Sequence, residues 1–319
     1  MLRGFAHSGG TLIQTDDTGQ AVWVDLLTPD DDEVARAEAY LGAALPRRGD
    51  MAEIEISSRL YKEDGAHFVT VLLPVNARTE EALMAPVCFA IAPGKLVTLR
   101  YQTPRPFTTY PEHAGRVSIG CDSADAVMTG LFEEVIDRIA DILEWIGDDL
   151  DAMSRGLFRR GENAGPLRGS ALQDMLEQIG LKSALLGDLR TCLLTLERAA
   201  GYVGPIVGQR AGSDAREALG MQHHDVHSLS EHAGSLEQKA ALLLDATLGV
   251  ISIEQNASMR VFSVIAVVFL PPTLIGSLYG MNFAHMPELS WPWGYPMAVL
   301  AMIVSAVLPI TYFRMKGWF

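Results

Sequence analysis

Residues 261–280 read VFSVIAVVFLPPTLIGSLYG and contain no Asp, Glu, Lys or Arg. The charge-free run continues to Pro287, and after the lone Glu288 a second one covers Leu289–Phe313. Crossing a bilayer's hydrocarbon layer takes about 20 predominantly apolar helical residues. Val261–Gly280 and Tyr295–Phe313 each supply roughly that number, which predicts two membrane spans joined by a short loop. Lys239 and Arg260 precede the first span, Arg314 and Lys316 follow the second, and the loop Met281–Gly294 carries neither Lys nor Arg. Positive charge marks the cytoplasmic side, so both termini are expected there, with the loop outside. Tyr279, Trp291, Trp293 and Tyr295 fit an outer aromatic belt, and Trp318 and Phe319 an inner one. Pro271-Pro272 lies inside the first span and removes two backbone donors. A bend beside water and a simple packing kink both accommodate it.

The rest of the chain looks soluble. With 39 acidic against 25 basic residues the net charge is −14, which argues against a nucleic-acid partner. Cys88, Cys121 and Cys192 have no CxxC or Cys/His spacing and read as reduced thiols rather than a disulfide scaffold or zinc site. Met1–Gly10 has no long apolar core of a signal peptide, so the N-terminus is expected in the cytoplasm. No GxGxxG, Gly-Lys-Ser/Thr or nucleophile–base set points to an enzyme.

Val22–Leu26, Ser57–Lys62, His67–Leu73, Val87–Ala92 and Leu96–Arg100 read as strands, interrupted by Asp-Gly and Pro-Gly pairs. A helix follows Thr28-Pro29 through about Leu41, with Thr28 as the expected cap. Residues 1–118 therefore form an α+β cytoplasmic domain, an α/β/α sandwich, and 119–224 a helical bundle. Within the bundle, Asp125–Arg159 carries the apolar stripe Leu131, Val135, Ile139, Ile142, Ile146, Leu150, Met153 and Leu157. A second stripe, Asp137, Asp141, Glu144, Asp148 and Asp151, reads first as a solvated acidic face. Its functional alternative is a carboxylate rail that gathers cations. Another helix covers about Leu172–Gly201. A stalk helix, 225–280, starts near Asp225 and runs without an obvious stop into the first span; 281–294 is the outer loop, 295–313 the second span and 314–319 a basic tail.

Stepping by four and three from Asp245 along the stalk gives Gly249, Ser252, Asn256, Met259, Ser263, Ala266, Leu270, Thr273, Ser277 and Gly280. The stripe is mostly small or polar. Such a face suits helix packing, but Asn256 and Asp245 are costly near lipid and suit a water-filled path. Two spans cannot enclose a pore, so a pore requires an oligomer with this helix around the axis.

Tyr279-Gly280-Met281-Asn282-Phe283, followed by Met286-Pro287-Glu288-Leu289 and Trp291, resembles the CorA magnesium/cobalt transporter family, whose signature is Gly-Met-Asn at the end of the first of two C-terminal spans. Ile253–Asn256, Phe262-Ser263-Val264, Val268–Thr273 and Gly294-Tyr295-Pro296 are similar to the family's proteobacterial type, with weaker likeness at Trp23–Leu26 and Glu53–Glu55. The resemblance implies a funnel-shaped homopentamer in the bacterial inner membrane that admits Mg²⁺, with Co²⁺ and Ni²⁺ as further cargo. It implies a selectivity filter of Gly280, Met281 and Asn282, and pore-lining positions at Thr273, Leu270, Met259 and Asn256, with Asp245 at the cytoplasmic entrance. Ser263 and Ser277 share the stripe, and Met259, Phe262 and Leu270 suit hydrophobic constrictions. The family also implies gating by intracellular Mg²⁺ held between cytoplasmic domains, though no regulatory ligand set can be read from this chain. Ala284 stands where relatives often carry an acid, leaving Glu288 as the loop's one carboxylate to attract cations.

The alternative is zinc or another transition metal carried by a related two-span protein, because His223, His224, His227 and His232 precede the span and His285 lies in the loop. With no nearby Cys or clear carboxylate partner, these histidines read first as solvated.

Overall fold

The computed structural model describes residues 1–53, 55, 59–79, 81–116, 120–158, 169–210, 213–282, 286–287 and 291–317. It divides into two compact units: Met1–Pro166 with Gln173–Leu244, and Leu167–Leu172 with Asp245–Phe319.

The first unit is organised by a seven-stranded mixed sheet: β1 (Leu2–Ser8), β2 (Thr11–Thr15), β3 (Trp23–Leu27), β4 (Leu60–Glu63), β5 (Ala66–Val75), β6 (Leu83–Ala92) and β7 (Lys95–Arg100), in the order β2-β1-β3-β7-β6-β5-β4. Only β3 and β7 run parallel; the other neighbours are antiparallel. The two flagged Gly pairs are its tight turns. Glu63 pairs with Ala66 across Asp64-Gly65, and Ala92 with Lys95 across Pro93-Gly94. Gly65 and Gly94 have φ of 82° and 73°, conformations that a Cβ disfavours.

Alternation along β3 sends side chains to two cores. Val24 and Leu26 pack with Ala37 and Leu41 of α1 (Asp31–Leu41) and Met51 of α2 (Arg48–Met51). Trp23 faces the other way. It stacks on Phe5 at 4.5 Å and meets Phe107 and Tyr110 of α3 (Pro106–His113), while Phe89 meets Phe132 of α4 (Ala124–Phe158) edge-on. Helices thus cover both faces, giving the expected α/β/α sandwich. The cap of α1 differs from expectation: Asp30, not Thr28, takes that place. Asp30 Oδ1 accepts from the Glu33 amide at 2.8 Å and Glu33 Oε2 from the Asp30 amide at 3.1 Å, a reciprocal box that Thr28 has no glutamate to complete.

Seven of the eight apolar-stripe residues of α4 are buried, Met153 being intermediate. Helix α5 (Gly169–Arg210) extends beyond the expected Gly201 and passes through Pro205. Helix α6 (Ser213–Tyr279) has 67 residues and starts before Asp225. Polar ties join these helices within the first unit. Lys182 on α5 meets Asp149 on α4 at 2.6 Å, Lys239 on α6 meets Asp151 at 2.7 Å, and Arg190 meets Glu237 at 3.0 Å. Gln222 Nε2 donates to the Thr129 carbonyl at 3.0 Å, and Thr195 Oγ1 accepts from the Leu72 amide of β5 at 3.1 Å.

The second unit holds α6 from Asp245 onward and α7 (Gly294–Met315). Pro271 and Pro272 lie inside α6 without interrupting it, so the carbonyls of Val267 and Val268 lose their usual i+4 donors.

Candidate functional site

From Val261 to Tyr279 α6 carries no charged residue, yet almost none of it is buried. Met259 is 68% exposed, Phe262 71% and Leu270 71%. In α7, Tyr295, Leu300 and Leu308 are likewise exposed. Both helices are long and apolar enough to cross a membrane, with 6% of each apolar window buried. Apolar surface on this scale, far above what a water-soluble monomer exposes, calls for lipid or other chains around it.

The predicted pore residues occupy this segment. Asp245, Asn256, Met259, Phe262, Ser263, Leu270, Thr273 and Ser277 are all exposed on α6. At about 100° per residue, Asp245, Asn256, Ser263 and Leu270 fall within roughly 40° of one another around the axis. Met259 and Ser277 lie about 40° from Asp245, Thr273 about 80° and Phe262 about 100°, all to the same side. The first group forms a narrow strip and Phe262 stands at its margin. Two hydroxyls of this segment are turned onto its own backbone: Ser263 Oγ donates to the Met259 carbonyl at 2.9 Å and Thr273 Oγ1 to Phe269 at 2.7 Å. Each keeps its acceptor lone pairs free for a passing group.

The helix ends where the signature begins. The Gly280 amide donates to Gly276 at 3.0 Å and the Met281 amide to Leu278 at 3.3 Å, a tightened last turn. A Cβ on Gly280 would lie 3.3 Å from the Gly276 carbonyl. Met281 and Asn282 follow directly, both exposed. Phe283, Ala284, His285, Glu288 and Leu289 of the loop, and Trp318 and Phe319 of the tail, lie outside the described residues.

In the first unit Asp137, Asp141, Glu144, Asp148 and Asp151 are all exposed along α4, as a solvated face requires. Sequence spacing missed the acids that join them from elsewhere. Partial burial pushes the Asp137 carboxyl up, reinforced by Glu134, Asp141 and Asp225, the last from α6. Glu133 is raised by burial and then by Asp137 and Glu134.

His223, His224, His227 and His232 are exposed. The absence of a carboxylate partner expected from sequence is corrected for His227: its Nδ1 lies 3.3 Å from Glu197 of α5 and its Nε2 3.9 Å from Glu231. Glu197 is thirty residues upstream in sequence, beyond the reach of local spacing. Among the described residues no group of three or more His, Cys, Asp or Glu is placed to hold a metal ion.

A protein-family model described as "CorA-like Mg2+ transporter protein" matches residues 18–315. The chain is 39% identical over 303 residues to a protein of Salmonella typhimurium named "Magnesium transport protein CorA", covering 93% of this chain and 92% of that one. An Escherichia coli protein of the same name is 38% identical with the same coverage. The complete structure of the CorA magnesium transporter from Methanocaldococcus jannaschii matches in fold, with a TM-score of 0.74 at 16% identity over 100% of this chain and 99% of that one.

Proposed function

Because this chain belongs to the CorA-like Mg²⁺ transporter family, we propose that it is one subunit of a homopentameric Mg²⁺ channel in a bacterial inner membrane, with both termini in the cytoplasm. The observation that carries this reading is the exposed Gly280-Met281-Asn282 set directly at the end of an apolar, unburied helix. Five copies of α6 would line the axis. The strip from Asp245 through Asn256, Ser263 and Leu270 would face it, with Met259, Thr273 and Ser277 beside it.

Mg²⁺ prefers six oxygen ligands and dehydrates reluctantly. A ring of Asn282 amide oxygens would accept hydrogen bonds from its waters without stripping them. A carboxylate ring would bind more tightly and slow release, and conduction needs sites that let the ion leave. Glu288 would add outer attraction, Asp245 would serve the inner entrance, and Co²⁺ and Ni²⁺ would be secondary cargo. Met259, Leu270 and, at the margin, Phe262 would form constrictions that dewet when the pore narrows.

Gating by internal Mg²⁺ belongs to the same proposal. Three metal-binding groups do not converge among the described residues of one chain. A regulatory ion would therefore draw carboxylates from neighbouring copies, and the exposed acids of the first unit are the available donors. Bound, it would relieve their repulsion and favour the closed form; its loss would favour opening.

The test is Mg²⁺ flux into liposomes holding the full chain, wild type against Asn282→Ala, across internal Mg²⁺ concentrations. Wild-type flux that rises as internal Mg²⁺ falls and is largely lost in the variant supports the reading. Equal flux from both proteins removes Asn282 from the filter, and absence of wild-type flux removes the channel.

A further inference from the structure

Away from the proposed pore, a cleft of about 360 Å³ opens within the first unit, between the β5–β6 connection, α4 and α5. That volume is in the range of small-molecule sites, which combine apolar walls with a few convergent polar groups. Here Ala77, Leu181 and Leu185 supply apolar wall, while Arg78, Gln178 and Lys182 supply donors.

Arg78 has donors to spare. Its Nη2 donates to the Asp141 backbone carbonyl at 3.3 Å, and its guanidinium lies 5.7 Å from the Trp145 ring centre. A guanidinium has five N–H groups, and among the described residues no carboxylate pairs with Arg78. Lys182 differs: it is 5% exposed, its Nζ lies 2.6 Å from Asp149 and 3.1 Å from the Trp145 ring centre, so its charge is already matched. It braces one wall rather than waiting for a ligand.

Among the charged residues described as lining the cleft, Arg78 and the Asp149-paired Lys182 stand against Asp188, although the chain carries −14 overall. Outside the lining, the Arg138 guanidinium is held below its ordinary value by burial first and then by Arg105 and Arg78, with Asp141 at 3.8 Å opposing the shift. Among the described lining residues Asp188 is the one acid, and it is exposed. It penalises ligands of high negative charge more than singly charged ones.

We infer that this cleft binds a small organic anion of low charge, with its carboxylate or phosphate head on Arg78 and Gln178 and its apolar body against Leu181 and Leu185. Both halves are required. The head alone gains little from an exposed guanidinium in water, and the body alone leaves the guanidinium unmatched.

The test is titration calorimetry on the full chain in lipid nanodiscs, with empty nanodiscs as the blank. Benzoate and phenyl phosphate are the two-part probes, inorganic phosphate is the head alone and benzyl alcohol the body alone. The expected result is saturable binding of a two-part probe, with either half alone weaker by about tenfold or more. Arg78→Gln should weaken binding by a similar factor, since a hydrogen bond to a charged group is lost. Leu181→Glu, at a position already 52% exposed and so tolerant of a polar side chain, should abolish binding by placing an acid in the cleft. No saturable binding of benzoate or phenyl phosphate at millimolar concentration, unchanged affinity in Arg78→Gln, or benzyl alcohol binding as tightly as benzoate would each overturn the inference.

Discussion

Arg100 grips both carboxylate oxygens of Asp25, Nε to Oδ1 at 3.0 Å and Nη2 to Oδ2 at 2.8 Å, with neither residue exposed. Thr98 Oγ1 donates to the same Oδ1 at 2.8 Å and Arg3 to Oδ2 at 2.7 Å. The pair ties β7 to its parallel neighbour β3. Stranding a buried charge costs about 3–5 kcal/mol, and because Asp25 keeps Arg3 as a second partner the loss of Arg100 should cost less than that full amount. Arg100→Met should therefore lower the thermal midpoint of the first unit by several degrees, read by near-ultraviolet circular dichroism of the sheet's Trp23. Arg100→Lys should recover little, because an ammonium cannot reproduce the two-point fork. A midpoint within a degree of wild type for Arg100→Met would show the pair to be energetically idle.

Gly130 is fixed by Tyr110. A Cβ at Gly130 would lie 2.5 Å from the Tyr110 hydroxyl and 2.6 Å from its ring, and Tyr110 is fully buried. The same hydroxyl has no hydrogen-bond partner among the described residues. Gly130→Ala should destabilise by about 1–3 kcal/mol through overpacking. Tyr110→Phe should be neutral or stabilising, because it deletes an unmatched buried hydroxyl. Combined, the two should cost less than the sum of the single changes, since the phenylalanine removes the nearest clash. Strict additivity in denaturant midpoints would exclude the contact as the cause.

These contacts show what one sequence discloses. β3, β5, β6 and β7 were legible because Trp23–Leu27, Ala66–Val75, Leu83–Ala92 and Lys95–Arg100 are runs of β-branched, aromatic and aliphatic residues bounded by turns. The β1–β2 hairpin was missed although its turn is written plainly: Gly9-Gly10, both at positive φ, closes the Ser8–Thr11 pair. β2 is short, polar and at the sheet edge, so no apolar alternation announces it. α5 outran its expected end because Pro205 is tolerated inside it, and α6 began early because residues 213–224 are polar and give no apolar onset. The candidate pore residues follow in sequence order along α6 from Asp245 to Ser277, with Gly280, Met281 and Asn282 just past its end. Relationships such as the His227–Glu197 pair, or the repulsion that Asp225 exerts on Asp137, depend on which helices pack together, and local periodicity carries no such information.

Glu133 and Asp137 make stability depend on pH. Both are held above their ordinary 4.5 and 3.8 by burial first and neighbouring acids second. A raised folded-state value means that the folded protein holds these protons more tightly than the unfolded chain. Their stabilising contribution is complete below the ordinary values and is lost as pH climbs through the raised ones. Near neutral pH the ionised pair therefore works against the fold. Asp137→Asn should raise the thermal midpoint at pH 7, and the gain should shrink as pH falls toward about 4. A gain that stays constant from pH 4 to 8 would exclude ionisation of Asp137 as its source.

Leu270 offers a test of the pore that is separable from folding. It is 71% exposed and lies within about 20° of Asp245 around α6. Replacing it therefore removes little packing within the chain. If five copies meet at the axis, their side chains make an apolar ring that water leaves when the pore narrows, and the barrier to a hydrated ion rises steeply. Serine at the same place keeps the ring wet. Leu270→Ser should then raise Mg²⁺ flux in liposomes severalfold under high internal Mg²⁺, where the proposed gating would close the wild type, and change it less under low internal Mg²⁺, where the pore would already be wet. Ile265, 49% exposed and about 160° from Asp245 around α6, is the control: Ile265→Ser should leave the ratio of the two fluxes unaltered. Equal effects at both positions would mean that general loosening of the helices, rather than dewetting at Leu270, governs the leak.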